Sequence, residues 1–391
     1  MLDTATAVAS RSAGIASQGE IRVVDDVAGF DRLREDWNRI ASEMDPPSPM
    51  LSWEWSRLWW TRFGGGDSLR IVTFLRGGRV VGIAPFSERR VGVGPIGARI
   101  LKPIGWEDYG NQGMTETLEL LFPPPWRTEL LGELALWLRA ARVTSAWLPS
   151  IGAEESLPDW LADRIAETQP WVSFHHRSLP DDWLDFVQRL NKSMRSNARF
   201  YPKRLIRHGH SFELEVAESP AEVSRALPEA IRLHRLRAGA DAISRVRHWD
   251  HFYRADRIAF LQDVAPILAE TGEFKVGLLR VDGAIVAAQT WMERSQTMFM
   301  YYTGFEPEWA PYGVQLIATL EALKHGIARG VRRVEFLRGG GHVKERWDTE
   351  ARVVRNVRCT PNRSLAIAIP AAAAAGQHLR RLRSAARFPR R

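Results

Sequence analysis

The stretch TMFMYYTGFEPEWAPYGVQLIATLEALKHGIARGVRRVEFLRG, residues 297–339, decides the fold of this chain. It predicts in order a strand, a turn containing Pro and Gly, an amphipathic helix stopped by Gly330, and a second strand, over residues 297–304, 305–313, 314–329 and 332–337. A glycine turn that leads from a strand into a helix leaves the first backbone N–H groups of the helix unpaired. Because such groups bind anions, the turn predicts a site for a phosphorylated cofactor.

The segments around this stretch predict the same order of elements twice. In the second half, helices 221–237 and 246–269 precede strands 273–281 and 284–292, which Asp282-Gly283 joins in a tight turn. The sequence of the first half predicts helices over 31–42 and 53–63, then a hairpin of strands 69–75 and 79–86. A glycine-rich loop follows over 91–113, and then a helix over 126–142, a short strand over 145–148 and a last helix over 157–168. The chain is therefore interpreted as two divergent copies of one α/β unit.

The length of the chain supports this division, since 391 residues exceed the roughly 100–200 residues of one ordinary domain. We expect a disordered N-terminus, two α/β domains and a basic tail, over residues 1–20, 21–178, 179–362 and 363–391. The tail carries six arginines and no acidic residue from His378 onward, and removing these arginines lowers the formal net charge from +8 to +2. Two interpretations stay open for it, a solubilising extension and a contact with an anionic membrane.

The cysteine content and the hydropathy of the sequence indicate in which cellular compartment the protein is expected. The single Cys359 cannot form an intrachain disulfide and has no cysteine partner for a thiolate metal site. Residues 1–20 lack the basic start and apolar run of a secretory signal, and no segment reaches the ~20 apolar residues that span a bilayer. We expect a cytoplasmic protein without a metal and, where the tail binds lipid, one that is peripheral at the inner membrane face.

A run of cations without an acidic residue lies between the two predicted domains, over residues 191–210. Its members are Lys192, Arg195, Arg199, Lys203, Arg204 and Arg207. One interpretation is a solvated helix face; the other is a cationic ridge that meets phosphates, since 195, 199 and 203 have helical spacing. Pro202 is expected to kink or end this helix.

Several motifs, taken in order, resemble a known family. They are PMLSWEW at 49–55, VGIAPF at 81–86, KSMR at 192–195, Leu233-His234 with Arg237, YYTGFEPEW at 301–309, PYGV at 311–314, and EFLRG at 335–339 with Lys344 and Trp347. Their order and spacing resemble the CelD/BcsL-type GNAT N-acyltransferases, whose two GNAT-like halves are similar to the FemAB peptidyltransferases. The resemblance covers residues 21–358. Similar proteins carry Asp where this chain has Glu335, and their pyrophosphate signature is reduced here to Tyr312-Gly313.

The resemblance implies a fold and a reaction. The fold is two tandem GNAT-like domains, each with a mixed, mostly antiparallel sheet flanked by helices. The reaction is direct transfer of an acyl group from acyl-CoA to an amine, in which holding the reactants in line supplies about 7–11 kcal/mol and no protein nucleophile is needed. For the cofactor we expect backbone donors at Gly313, Val314 and Gln315, with Tyr312 beside them; an ordinary helix start is the alternative.

Two residues are candidates for the general base. A histidine ordinarily titrates near neutral pH, so His234 could accept the amine proton directly or through water; a surface or packed histidine is the alternative. Burial of Glu335 at a strand end would raise its pKa toward the useful range, whereas pairing with Arg338 or Lys344 would do the opposite. Tyr301 and Tyr302 are adjacent on a strand, so we expect their side chains on opposite faces, with Tyr302 able to donate a proton to the thiolate. The remaining substrate-binding candidates are Lys192, Arg195, Arg338, Lys344 and Trp347.

The acceptor and the partners stay open in the sequence. The leading hypothesis is an amine on an envelope polysaccharide precursor or an amino-lipid, and nucleic acid is not expected as a partner. One alternative is an aminoacyl-tRNA-dependent peptidyltransferase in which residues 192–207 meet RNA phosphates. The other is a non-catalytic GNAT-like module in polysaccharide biosynthesis or export.

Overall fold

The computed structural model describes residues 19–91, 98–107, 113–155, 157–240, 248–339 and 342–362. The predictions for residues 1–18 and for the tail from 363 lie outside these residues. The strands of the first half are β1 (Glu20–Val24), β2 (Ser68–Arg76), β3 (Arg79–Val91), β4 (Ala98–Pro103), β5 (Ser145–Gly152), β6 (Ile165–Thr168) and β7 (Val172–Ser178). The strands of the second half are β8 (Phe212–Ala217), β9 (Phe274–Val281), β10 (Ala284–Arg294), β11 (Thr297–Phe305), β12 (Arg333–Arg338) and β13 (Glu350–Cys359).

Helices pack on both faces of these strands. Those of the first half are α1 (Val27–Arg32), α2 (Arg34–Ser42), α3 (Trp53–Phe63), α4 (Arg127–Ala140) and α5 (Asp159–Ala162). Those of the second half are α6 (Trp183–Arg189), α7 (Lys192–Arg207), α8 (Pro220–Gly239), α9 (Ala255–Glu270), α10 (Val314–Ala328) and α11 (His342–Glu345). The predicted strand, turn, helix and strand of residues 297–339 are confirmed as β11, a short 3-10 turn, α10 and β12.

Strand connectivity repeats once along the chain. In the first half β2, β3 and β4 pair antiparallel in sequence, and β5 follows through α4 to lie parallel to β4. In the second half β9, β10 and β11 do the same, and β12 follows through α10 to lie parallel to β11. Both hairpins turn on a pair of residues with positive φ, Gly77-Gly78 and Asp282-Gly283, as tight two-residue turns require.

The last strand of each half pairs with the other half. β7 lies against β12, β13 lies against β5, and β7 and β13 pair with each other. The described strands therefore form one sheet in the order β1-β2-β3-β4-β5-β13-β7-β12-β11-β10-β9-β8, with β6 added on β13. The predicted α/β class, with a mixed and mostly antiparallel sheet flanked by helices, is confirmed. The joining of both halves into one sheet was not predicted.

A shared core also joins the halves. Trp55 of α3 is fully buried and packs edge-on against Phe260 of α9, with ring centroids 5.0 Å apart, and against Tyr301 of β11, at 6.1 Å. The Trp55 indole donates to Thr115 Oγ1 at 2.9 Å. Burial of such large rings supplies much of the stability of a domain, so this contact resembles a domain interior more than a loose interface.

Three local predictions differ from the structure in whole or in part. Residues 157–168 form only the single turn α5 before β6, because residues 165–168 pair with β13 instead of continuing a helix. The helix predicted from 246 begins at Ala255, because residues 248–252 leave the helical path and Phe252 packs on His234. Helix α7 runs to Arg207, so Pro202 does not end it; the helix is anchored by buried side chains on both sides of the proline, Met194 and Leu205.

Candidate active site

A β-bulge in β11 places two tyrosines on one face of the sheet. Opposite the step from Gln289 to Trp291 in β10, β11 carries one extra residue within Tyr301-Tyr302. The two tyrosine rings lie 3.9 Å apart, and both hydroxyls reach Met114, at 2.7 Å to its carbonyl from Tyr301 and at 3.8 Å to its sulfur from Tyr302. The prediction that the two side chains point to opposite faces is therefore wrong, because a bulge shifts the alternation of a strand.

A cavity of ≈ 160 Å³ lies beside these tyrosines. Its lining includes Tyr301 and Tyr302 of β11 and His234 and Arg237 of α8. His248 lines it from the segment before α9, and Glu116 from the first-half segment between β4 and α4. Close packing of α8 on β11 brings these groups together, since a Cβ on Gly304 would lie only 2.2 Å from the backbone nitrogen of His234. Both halves of the chain thus contribute to the cavity.

The His234 ring lies at the cavity with both nitrogens directed at backbone groups. Nδ1 lies 3.2 Å from the carbonyl oxygen of Thr303, and Nε2 lies 3.2 Å from the carbonyl oxygen of Trp249 and 3.4 Å from the amide nitrogen of His251. Backbone groups therefore engage both ring nitrogens, whichever of the two carries the proton. Burial, followed by the charge of Arg237, lowers the pKa of His234 to about 4. A ring so engaged is a weak base, and its catalytic role stays a prediction that this arrangement disfavours.

Glu116 is the cavity residue that sequence reasoning missed. Its Oε2 accepts from the amide of Arg338 at 3.2 Å, and its backbone carbonyl accepts from the Arg338 guanidinium at 3.2 Å. Burial raises the pKa of the Glu116 carboxyl, while Lys344 and Arg338 oppose that rise. A carboxyl with a raised pKa in a cavity is a common feature of acid-base sites. No sequence pattern marks Glu116, because its neighbours come from the other half of the chain.

Glu335, the other predicted base, does not line the cavity. It is 3% exposed and pairs with Arg333 at 2.6 Å, and Arg333 also pairs with Asp45 at 3.1 Å. Burial raises the pKa of Glu335, and the charges of Arg333 and Arg352 oppose this rise. The predicted direction of the pKa shift agrees with this result, but the carboxyl lies in an ion cluster away from Tyr302.

Three predicted substrate-binding residues support the end of β12. The Lys344 ammonium donates to the carbonyls of Phe336, Leu337 and Arg338, at 2.9 Å for Leu337, so all three of its donors are used. Burial lowers the pKa of Lys344 to about 8. Trp347 is buried and stacks on Phe336 with ring centroids 5.3 Å apart. Lys344 and Trp347 therefore support β12 and do not line the cavity, and Arg338 bonds Glu116.

A wedge opens between β11 and β12. The two strands pair in parallel only where residues 297–299 face residues 333–335. Beyond this point Arg338 pairs with Phe174 of β7, and Leu337 takes a positive φ of 57°. The C-terminal ends of β11 and β12 therefore diverge. Glu116 lies at this opening, because it is bonded to the end of β12 and shares a cavity with the tyrosines of β11.

Helix α10 begins at the same end of β11. Within the described residues, the amides of Val314, Gln315 and Leu316 donate no hydrogen bond. Gly313, at φ +64°, donates its own amide within the preceding turn at 3.0 Å, so it does not supply the free donor that the sequence suggested. Tyr201 of α7 covers Gly313, since a Cβ there would lie 2.6 Å from the Tyr201 ring. Three orphan amides remain to fit an anion.

Cations from α7 flank this helix start. Arg204 donates to the carbonyl of Pro311 at 2.8 Å and lies over the Tyr312 ring at 5.3 Å. Tyr312 also bonds through its hydroxyl to His208 Nδ1 at 3.1 Å. Lys192 and Arg195 lie at the other end of α7, on an open surface shared with Arg199, Lys203 and Arg207. The structure thus separates Lys192 and Arg195 from the cavity and brings Arg204 close to α10.

Comparisons with known proteins agree with this geometry. Residues 192–345 match the family profile of the Acetyltransferase (GNAT) domain, which spans α7 to α11. A comparison with curated proteins gives no match. Among solved structures, one described as FemX has a TM-score of 0.56 and 10% identity, and covers 86% of this chain and 98% of that chain.

Two further solved structures match over a similar share of both chains. A conserved protein of unknown function from Bacteroides thetaiotaomicron has a TM-score of 0.51 and 13% identity, covering 87% of this chain and 100% of that chain. A tandem GNAT protein from the clavulanic acid biosynthesis pathway has a TM-score of 0.44 and 13% identity, covering 88% and 99%. At such identities the likeness to the two structures with TM-scores above 0.5 establishes a fold alone, and the chemistry must be argued from the site.

Proposed function

We propose that this protein transfers an acyl group from a coenzyme A thioester to an amine. The observation that carries the proposal is the divergence of β11 and β12 beside three unpaired amides of α10. The diphosphate of the donor would bind these amides with Arg204 nearby, and its extended arm would follow the wedge toward Tyr302. The match of residues 192–345 to the GNAT acetyltransferase domain supports this assignment.

The cavity supplies the groups that the transfer needs. As the amine nitrogen bonds to the thioester carbonyl carbon, its proton passes to the Glu116 carboxylate, which lies at the mouth of the wedge. The C–S bond then breaks, and the same proton moves on to the departing thiolate. Tyr302 keeps its proton, because burial raises the pKa of its hydroxyl, and it donates a hydrogen bond to the developing negative charge. The remaining lowering of the reaction barrier comes from holding the amine and the thioester close together in the correct orientation.

A substitution at Gln315 tests the donor site. Proline is tolerated in the first turn of a helix, so Gln315→Pro removes one unpaired N–H with little damage to α10, whereas Gln315→Ala keeps it. By calorimetry we expect acyl-CoA to bind the wild type and Gln315→Ala alike, and Gln315→Pro at least tenfold more weakly. Equal affinity for all three proteins, or no binding by the wild type, would reject the proposal. Gly313→Trp is less suitable, because Tyr201 leaves no room there.

The acceptor and the location are also proposals. An amine on an envelope polysaccharide precursor or an amino-lipid suits a cytoplasmic enzyme whose basic tail contacts the anionic inner membrane face. The structure contains no helix, among the residues it describes, that is long and apolar enough to cross a membrane. Ending the chain after Asn362 should lower its partition onto anionic liposomes; equal partition with and without the tail would discard the membrane contact.

The exposed cations of α7 favour one second candidate, transfer from an aminoacyl-tRNA. Lys192, Arg199 and Lys203 lie exposed along one open surface of this helix. RNA binding through such a surface weakens steeply with salt, whereas acyl-CoA turnover should change little. Aminoacyl transfer from charged tRNA that fails in Lys203→Gln and falls with added salt would replace the coenzyme A assignment.

A further inference from the structure

The far wall of the cavity holds a guanidinium without a carboxylate partner. Arg237 lies one helical turn after His234 on α8 and faces the same cavity. Its Nη1 lies 3.4 Å from the Thr303 carbonyl, and its Nη2 lies 3.0 Å from the ring of His248. Within the described residues no Asp or Glu pairs with Arg237, although other arginines of α8, such as Arg232 and Arg235, have such a partner.

Two hydrogen-bond donors on this wall are buried and unused. They are Arg237 Nε and Thr303 Oγ1, neither of which has a partner among the described residues. A buried donor without an acceptor is costly, and native structures leave few of them. Both residues line the cavity, so these two donors lie beside the space that a ligand would occupy.

The charge of the cavity favours an anion at this wall. Burial and the charge of Arg237 lower the pKa of His248 and of His234 to about 4, so both rings are neutral at pH 7. Glu116 is bonded to Arg338 and lies near Lys344, which leaves the charge of Arg237 uncompensated. A buried cation of this kind requires a counter-charge.

We propose that the acceptor amine carries an anionic oxygen group, a carboxylate or a phosphate, that binds Arg237 and Thr303 while its amine faces Glu116. This inference rests on the proposed acyl transfer, which places the amine between Glu116 and the wedge. A cavity of ≈ 160 Å³ has room for an amine and an acidic group a few bonds apart. The acceptor therefore belongs to the class of amino acids or phosphoamines, either free or at the head of a larger molecule.

Binding of a matched series of small amines tests the inference without relying on turnover. The probes are propylamine, ethanolamine, β-alanine and phosphoethanolamine, measured by calorimetry and thermal shift. We expect β-alanine or phosphoethanolamine to bind the wild type at least tenfold more tightly than the two amines without an acid. The better of these two acidic probes identifies carboxylate or phosphate as the group recognised.

Three variants locate the effect. Arg237→Gln should abolish the preference, and Thr303→Val should reduce it about threefold to tenfold. Arg225→Gln removes the same charge from an exposed position of α8 and should leave the preference intact. Circular dichroism confirms that each variant is folded, and Arg237→Lys replaces Arg237→Gln if the latter is not.

The outcomes separate this inference from the proposed function. Equal binding of acidic and neutral amines, or a preference that survives Arg237→Gln, would overturn the inference even if acyl transfer occurs. A preference that depends on Arg237 in a protein that binds no acyl-CoA would support the anion site and reject the transferase.

Discussion

The Glu116 carboxyl is the single residue on which the proposed proton transfer depends. Glu116→Gln keeps an oxygen to accept from the Arg338 amide but cannot take a proton. We expect turnover to fall by about 10²–10⁴, the usual contribution of a general base, with acyl-CoA affinity unchanged. The matched variant Glu335→Gln lies outside the cavity and should lower turnover far less. Steady-state kinetics measure the turnover of both variants. A larger loss of turnover in Glu335→Gln than in Glu116→Gln would assign the role of base to Glu335.

Gly304 is the residue that allows the cavity to form, since any Cβ there would meet the α8 backbone at His234. Gly304→Ala must push α8 away from β11, so we expect a loss of about 1–3 kcal/mol in the free energy of unfolding. Gly132, in α4, faces open space, with nothing within 4 Å of where a Cβ would lie, and Gly132→Ala should stabilise the protein by up to about 1 kcal/mol. Urea denaturation measures both; a neutral Gly304→Ala would contradict the close packing.

Sequence reasoning reached some residues of the site and missed others for physical reasons. His234 and Tyr302 were named from local patterns, and both line the cavity. The direction of Tyr301 was predicted wrongly, because a bulge depends on pairing with the neighbouring strand. Glu116 was missed, because its partners are distant in sequence, such as the Arg338 amide that donates to its carboxylate at 3.2 Å.

At the scale of single elements, a buried carboxylate ties three strands of the first half together. Glu88 of β3 is 2% exposed and bonds Arg99 of β4 at 2.7 Å, Arg70 of β2 at 3.1 Å and Arg90 at 2.9 Å. Burial alone would raise the pKa of Glu88, but the bonds from Arg99 and Arg90 and the charge of Arg70 lower it to about 2. The ion cluster therefore stabilises the folded state while Glu88 is ionised.

This cluster predicts a pH dependence of stability. Because the folded-state pKa of Glu88 lies below its unfolded value of 4.5, its contribution is complete above pH 4.5 and is lost as the pH falls toward 2. We expect the free energy of unfolding to fall by about 3 kcal/mol over this range from Glu88 alone. Glu88→Gln should show a correspondingly smaller decline in urea titrations at each pH. Parallel declines in both proteins would exclude Glu88 as the source.

Elements with strong local signals were predicted well, and elements fixed by distant pairing were not. The hairpins at Gly77-Gly78 and Asp282-Gly283 and the unit of residues 297–339 follow from turn chemistry and apolar periodicity, which act over a few residues. Residues 165–168 form a strand because residues 357–359 of β13, far along the chain, pair with them. No local pattern carries that information.

At the scale of the whole molecule, the exchange of β7 and β13 makes each half depend on the other. The predicted domain boundary after Ser178 separates β7 from both of its neighbours, β12 and β13, and leaves β5 without β13. The residues of β5 from 145 to 151 are all buried, so this cut exposes an apolar strand edge. Such edges pair with other chains and cause aggregation.

We therefore expect that residues 19–178 and residues 179–362 do not fold when expressed apart, and that they form a one-to-one complex when co-expressed. Each piece holds one strand that completes the sheet of the other, so mixing restores every pair that cutting removes. Size-exclusion chromatography and amide dispersion in NMR spectra report the two states. Two separately soluble, well-dispersed monomers would show that the halves are independent. Since Glu116 belongs to the first piece and Tyr302 to the second, acyl transfer should appear only in the complex.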